Sequence, residues 1–144
     1  MAEILHDFPI RASHKAVFDA ISTPVGLDRW WTLSSSGTPR EGAEYRLGFG
    51  PEHDWRATVS RCVPGVEFEL VMGKSDADWL GTRVGFRLSG DSHDTTQVAF
   101  HHLGWREPNA HHRTSAFCWA MYLRLLRLSL ETGLVVPYDD RLSV

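Results

Sequence analysis

The chain has 144 residues, of which 42% are hydrophobic and 23% charged, and its formal net charge at pH 7 is −3. This length predicts a single domain over residues 1–144 with a substantial core. The slightly acidic balance excludes a basic field that would attract nucleic acid, and no apolar run approaches the roughly 20 residues needed for membrane insertion as a spanning helix.

The two cysteines and the N-terminal residues indicate the cellular compartment in which the protein is expected. Cys62 and Cys118 show neither a CxxC motif nor metal-type spacing, which suits a reducing environment. The first residues lack the basic start and the apolar core of a signal peptide. A cytoplasmic location is therefore expected.

The N-terminal third predicts a strand followed by two short helices. Apolar and polar residues alternate over 3–11, which is typical of a half-buried strand. Ser13 is a suitable N-cap for the first helix. The pair Thr23-Pro24 ends that helix and begins a second one, which carries Trp30 and Trp31 on one face. The run 34–39, rich in Ser, Gly and Pro, is interpreted as an exposed loop.

Five further segments alternate in the manner of strands joined by hairpins, which indicates an antiparallel sheet with one solvated face. They are 44–50, 53–63, 66–72, 80–88 and 95–103. The amphipathic stretch 110–132 predicts one long helix, which Gly133 ends. The fold class is therefore α+β: a curved six-stranded antiparallel sheet wrapped around a long C-terminal helix, with two short helices after the first strand.

Two segments near the ends of the chain carry a family resemblance. The first has apolar, small, capping and tryptophan positions at Ile10, Ala12, Ser13, Val17, Phe18, Ala20, Thr23, Pro24, Leu27, Trp30 and Trp31. The second, in the closing helix, has Trp119, Leu123, Leu126, Glu131 and Gly133. Together they resemble the START-like (SRPBCC) superfamily with its helix-grip fold, in particular the branch named for the activator of heat-shock-protein-ninety ATPase homologue. The resemblance covers about residues 4–133.

The sequence departs from the family pattern at one point, and the family as a whole implies several functions. Members often carry a glycine before the helix tryptophan, where this chain has Cys118, and the Gly-Trp string here is Gly104-Trp105. Families of this fold bind hydrophobic ligands, catalyse cyclisations or eliminations on polyketide-like substrates, or act as chaperone partners. The resemblance implies a site rather than a reaction.

The aromatic content suggests where that site lies. Six tryptophans and seven phenylalanines indicate either a core rich in large rings or rings lining a cavity. We expect an apolar cavity between the sheet and the helix Ala110–Thr132, binding a small hydrophobic or amphipathic, lipid-like molecule. Strand and helix phase, with two neighbouring loop positions, predicts its ligand-binding residues as Trp31, Tyr45, Phe49, Trp55, Phe68, Leu70, Trp79, Val84, Phe86, Phe100, His102, Phe117, Met121 and Tyr122.

Two other functions stay open. An enzyme of the cyclase or dehydratase kind would have only His102, Tyr45 and Tyr122 as cavity-facing polar groups, and no catalytic constellation is recognisable. A buried, hydrogen-bonded histidine is the commoner interpretation of His102. A co-chaperone-type interaction module, with a chaperone partner, is implied by the family name alone. No metal ion is predicted, because no histidine pair comes with a metal ligand set, and no cofactor is predicted. A homodimer is compatible with the sequence.

Overall fold

Seven antiparallel strands form one sheet in the computed structural model, which describes residues 2–143. The sheet has the order β1-β7-β6-β5-β4-β3-β2. Its strands are β1 (Ala2–Ile10), β2 (Ser34–Ser36), β3 (Glu44–Gly48), β4 (Asp54–Val63), β5 (Glu67–Lys74), β6 (Arg83–Ser89) and β7 (Thr96–Trp105). The helices are α1 (His14–Ser22), α2 (Pro24–Leu27), the long α3 (Ala110–Thr132) and a C-terminal 3₁₀ helix (Tyr138–Ser143). The α+β class, the two short helices after β1 and the long closing helix are confirmed.

The sheet has one strand more than the sequence predicts. Ser34–Ser36, interpreted above as a loop, pairs antiparallel with β3, with Ser34 opposite Gly48. Gly48 allows this close approach, since a Cβ there would lie 2.8 Å from the Ser34 Oγ. A strand made of serines has no apolar alternation, and it is defined by backbone hydrogen bonds at the sheet edge alone.

The helix ends follow the predicted capping residues. The Ser13 Oγ accepts a hydrogen bond from the Ala16 amide at 3.1 Å, and the Thr23 Oγ1 accepts one from the Gly26 amide at 3.0 Å. Asn109 caps the start of α3 in the same way, since its Oδ1 accepts a hydrogen bond from the His112 amide at 2.9 Å. Gly133 ends it with a φ of 80°, in the left-handed region that glycine favours.

One face of α3 packs against the sheet. Ser115, Trp119, Leu123 and Leu126 recur at helical spacing and are buried. Helix α1 contacts β5 and β6 and also touches α3, so the core lies between the sheet and the helices. Within residues 2–143, none of the helices combines the length and the apolar character that crossing a membrane requires.

Candidate functional site

Five aromatic side chains from separate parts of the chain form a closed circuit, which we call the aromatic cluster. The ring centroids are separated by 5.4 Å (Trp31–Phe49), 5.1 Å (Phe49–Trp55), 5.1 Å (Trp55–Trp79), 5.8 Å (Trp79–Trp119) and 5.2 Å (Trp119–Trp31). The rings of Trp31, Trp79 and Trp119 are buried, whereas Phe49 and Trp55 are partly exposed. The cluster thus runs from the core to the surface.

Local structure places each ring. Trp31 follows α2 and is held by a hydrogen bond from its amide to the Leu27 carbonyl. Phe49 and Trp55 belong to the β3–β4 hairpin, which the Phe49 amide closes on the His53 carbonyl at 3.0 Å. Trp79 lies in the turn before β6, where its carbonyl accepts a hydrogen bond from the Thr82 hydroxyl.

The space predicted as a cavity is occupied by these rings. Neighbouring rings lie at contact distances of about 4.5–7 Å between centroids, in tilted, edge-to-face or stacked arrangements. One depression of the surface, of about 150 Å³, lies between β1 and α3, and another, of about 240 Å³, lies between the short helices and α3. A third, of about 350 Å³, touches the cluster from outside, since Trp55 is one of its lining residues. In this structure the interior is therefore a core rich in large rings, the first of the two alternatives above.

His102 lies beside the cluster, fully buried, and both of its ring nitrogens are occupied. The Trp119 Nε1–H donates to the His102 Nδ1 at 3.1 Å, so this nitrogen carries no proton. The Nε2–H then donates to the Thr82 Oγ1 at 2.8 Å, which fixes the tautomer of the neutral ring. Burial lowers the pKa of His102 to about 3. This histidine joins β7, α3 and the turn before β6, and it has no free nitrogen to act as a base.

The other predicted sheet residues lie deeper in the core. Phe68 contacts Phe18 and Tyr45, and Phe86 contacts Trp30 and Phe100. The Tyr45 hydroxyl donates to the Ser22 carbonyl, and burial raises the pKa of Tyr45. Leu70 and Val84 are buried as a cross-strand pair, and the Phe100 ring lies 4.6 Å from the Trp119 ring of the cluster.

The three helix positions predicted for the site differ in their surroundings. The Phe117 side chain is 79% exposed, so it lies at the surface of α3 and does not line the interior. Its spacing of four residues from Arg113 and seven from Arg124 places it on the solvent face of α3. Met121 and Tyr122 are partly buried, and the Tyr122 ring lies 6.4 Å from Trp119. Burial raises the pKa of Tyr122.

Sequence reasoning missed three residues here. Trp119 was used for the family resemblance but not placed in the site. Tyr138 and Arg141 lie in the C-terminal segment, residues 134–143, which folds back over the molecule. The Tyr138 hydroxyl donates to the Phe49 carbonyl at 3.2 Å, and Arg141 is buried with its guanidinium on backbone carbonyls. No periodic pattern in this segment signals these contacts, although the burial phase of α3 could have identified Trp119.

The opposite face of the sheet carries a polar network. Glu69, 6% exposed, accepts hydrogen bonds from Ser60 at 2.7 Å and Arg83 at 3.0 Å, and its second oxygen lies 2.7 Å from the His101 Nε2. Burial by itself raises the pKa of Glu69, but these hydrogen bonds outweigh it and hold the pKa below its usual range. A neighbouring carboxylate, Glu67, pairs with arginines in the same way. These contacts join neighbouring strands.

Solved structures with the same fold include several bacterial proteins. The Aha1 dimer from Colwellia psychrerythraea, solved in solution, has a TM-score of 0.82 and 28% identity, covering 92% of this chain and 98% of that one. SSP2350 from Staphylococcus saprophyticus has a TM-score of 0.78 at 15% identity, covering 94% and 96%. CalU16 from Micromonospora echinospora has a TM-score of 0.73 at 20% identity, covering 96% and 82%.

The sequence comparisons give the family. No curated protein matches the chain. The family model described as activator of Hsp90 ATPase homolog 1-like protein matches residues 11–131, which include α1, α2, strands β2 to β7 and nearly all of α3. This protein belongs to the activator of Hsp90 ATPase homolog 1-like family.

Proposed function

We propose that this protein binds a small apolar or amphipathic molecule at the aromatic cluster, entering beside Phe49 and Trp55. The observation that carries the proposal is the continuity of the cluster from core to surface. Three of its rings are buried, and two at the β3–β4 hairpin are partly open to solvent. Pockets for small molecules are largely apolar and aromatic with a few polar groups at the edge, and the Tyr138 hydroxyl and the Tyr122 ring lie at this edge.

Binding at this place requires the rings to part. Each aromatic pair contributes about 0.5–1.5 kcal/mol beyond its buried area, so separating one or two pairs costs little compared with what a ligand regains by stacking on the same faces. Phe49 is the ring to move, because it contacts Trp31 and Trp55 edge-on at the end of a hairpin. A flat ring system or a short chain fits such a slot best.

The test is a titration with N-phenyl-1-naphthylamine, an uncharged dye whose emission rises in apolar surroundings. We expect saturable binding to the wild-type protein. Phe49→Gln should weaken it about tenfold, because a buried amide without partners costs on the order of 1–3 kcal/mol. Phe117→Gln is the matched control on the exposed face of α3 and should leave the affinity unchanged.

Two outcomes would contradict the proposal. One is equal dye affinity in the wild-type protein and Phe49→Gln, with both variants folded by circular dichroism. The other is a loss of binding in Phe117→Gln alone, which would place the dye on the solvent face of α3.

A second candidate function, association with another protein, is favoured by the exposure of Phe117. Exposed aromatic rings on a regular element are enriched in interfaces, and the relative from Colwellia psychrerythraea is a dimer. Sedimentation analysis of the wild-type protein and Phe117→Gln tests association of two copies of this chain. A concentration-dependent dimer that Phe117→Gln dissociates would support self-association through this face, and a wild-type monomer at all concentrations would reject it.

A further inference from the structure

We propose that the C-terminal segment closes the aromatic cluster and that Arg141 within it gives the site a preference for ligands carrying an anionic group. This inference rests on the proposed function and adds the chemical class of the ligand. It also gives a role to a segment that lies beyond the residues matched by the family model.

The surroundings of Arg141 are unusual for a cation. Arg141 is buried, with 3% of its surface exposed to solvent. Its Nε donates to the Val136 carbonyl at 3.0 Å, its Nη1 to the Thr32 carbonyl at 3.2 Å and its Nη2 to the Asp28 carbonyl at 2.8 Å. Within residues 2–143, no carboxylate oxygen lies within 4.0 Å of this guanidinium. Buried charges are ordinarily paired.

Two N–H groups of the guanidinium are not used by these three carbonyls. A guanidinium has five N–H donors, and the three carbonyls use one on each nitrogen. The nearby Asp28 carboxylate is engaged elsewhere, since its Oδ1 accepts hydrogen bonds from Thr32 at 2.6 Å and Ser35 at 2.8 Å. The unused N–H groups, one on each Nη, suit a carboxylate, sulfonate or phosphate oxygen once the segment opens.

Arg141 lies at the edge of the aromatic cluster. Its Cζ is 5.5 Å from the centroid of the Tyr138 ring, and the Tyr138 hydroxyl donates to the carbonyl of Phe49, a cluster residue. Its partner Thr32 directly follows Trp31, another cluster residue. An amphipathic anion with its apolar part among the rings would therefore have its charged end near this guanidinium.

The segment is attached in a way that permits opening. Val136 packs partly buried against the core, but Leu134 is 56% exposed and Leu142 is 72% exposed, so these leucines bury little apolar surface. Polar contacts of Tyr138 and Arg141 with the rest of the chain tie the segment down. A ligand that supplies an anion to Arg141 can replace some of them.

The experiment compares two dyes with the same ring system. 1-Anilino-8-naphthalenesulfonate carries a sulfonate, and N-phenyl-1-naphthylamine is the same skeleton without it. Both are titrated into the wild-type protein, Arg141→Gln, Arg141→Lys and the control Arg124→Gln. The control removes an exposed guanidinium that lines the separate depression between β1 and α3. Thermal melts establish that each variant is folded.

We expect the wild-type protein to bind the sulfonate dye about tenfold more tightly than the neutral one, as one charge-assisted contact predicts. Arg141→Gln should remove this preference, so that the two dyes bind with affinities within about twofold of each other. Arg141→Lys should keep part of the preference, because it keeps the charge. Arg124→Gln should behave as wild type.

Three results would overturn the inference. They are equal wild-type affinities for the two dyes, an equal loss of both dyes in Arg141→Gln, and loss of the preference in Arg124→Gln. The wild-type comparison decides the matter even if Arg141→Gln does not fold. Failure of the proposed function has a different signature, namely neutral-dye binding that is absent or insensitive to Phe49→Gln.

Discussion

The Trp119 indole donates its N–H to the Nδ1 of His102 at a distance of 3.1 Å, linking the middle of α3 to β7. His102 in turn donates to Thr82, whose hydroxyl donates to the Trp79 carbonyl. Each donor in this series of hydrogen bonds has one acceptor. The buried polar groups are therefore satisfied only when the imidazole of His102 is neutral. The same arrangement makes the stability of the protein depend on pH.

The pH dependence follows from the lowered pKa of His102. The group titrates near 6.5 when unfolded and near 3 when folded. Between these values the unfolded chain binds a proton that the folded chain does not, so stability is full above about pH 6.5 and falls as the pH decreases. The steepest slope is about 1.4 kcal/mol per pH unit.

Urea unfolding at pH 7, 6 and 5 measures this slope. His102→Gln, which cannot take up a proton, should flatten it, although the variant is less stable at pH 7. His93→Gln, in the exposed loop before β7, should retain the wild-type slope. Identical slopes in all three proteins would contradict the assignment of His102 as neutral and proton-excluding.

The polar network on the opposite face of the sheet depends on Gly85. A Cβ at this position would lie 2.5 Å from the His101 Nε2 and 3.1 Å from the Glu69 Cβ. Gly85→Ala should therefore displace the imidazole from Glu69 and reduce the free energy of unfolding by about 1–3 kcal/mol. Chemical denaturation of the single variant gives this value.

A double-mutant cycle separates the clash from the intrinsic effect of alanine in a strand. His101→Ala removes the ring that the new Cβ meets. If the mechanism is correct, Gly85→Ala costs less in the His101→Ala background, with a coupling of about 0.5–3 kcal/mol. Strict additivity would show that the loss has another origin.

The local rules of the backbone explain which parts of the fold could be predicted. Ser13, Thr23 and Asn109 cap helices because the oxygen of each side chain accepts a hydrogen bond from the amide three residues ahead. The main strands alternate because one face is buried. In contrast, β2 has no apolar pattern, and Arg141 is placed by partners as far as 113 residues away in sequence. Such contacts leave no trace in a local pattern.

The sequence predicts which aromatic residues face the interior better than it predicts whether they leave a cavity. Strand phase indicated the face on which Phe100 and His102 lie, and both are buried. Whether rings from facing elements enclose space or meet depends on the distance between those elements, which periodicity does not contain. Phe117 is exposed because it shares the helical face of Arg113 and Arg124, and this spacing alone predicts its exposure.

Leucines at the two ends of the burial range provide a test of the core around α3. Leu125 is 4% exposed and Leu142 is 72% exposed. Leu125→Ala should lower the free energy of unfolding by about 2–5 kcal/mol, because it removes buried methyl groups and leaves a cavity. Leu142→Ala should change it by less than about 0.5 kcal/mol. A small effect at Leu125 would mean that α3 packs more loosely on the sheet than the structure shows.

Two tyrosines separate structural from binding roles. The buried Tyr45 hydroxyl donates to the Ser22 carbonyl, so Tyr45→Phe leaves that carbonyl without its partner and should cost about 1–3 kcal/mol of stability.

Within residues 2–143, the Tyr122 hydroxyl makes no hydrogen bond to the protein. Tyr122→Phe should therefore leave the melting temperature nearly unchanged. Because the ring lies at the edge of the aromatic cluster, 6.4 Å from Trp119, the same change should alter dye affinity. Thermal melts and dye titrations of both variants give the comparison. Strong destabilisation by Tyr122→Phe with unchanged dye binding would instead make α3 a scaffold at this position, and the site would have to lie elsewhere.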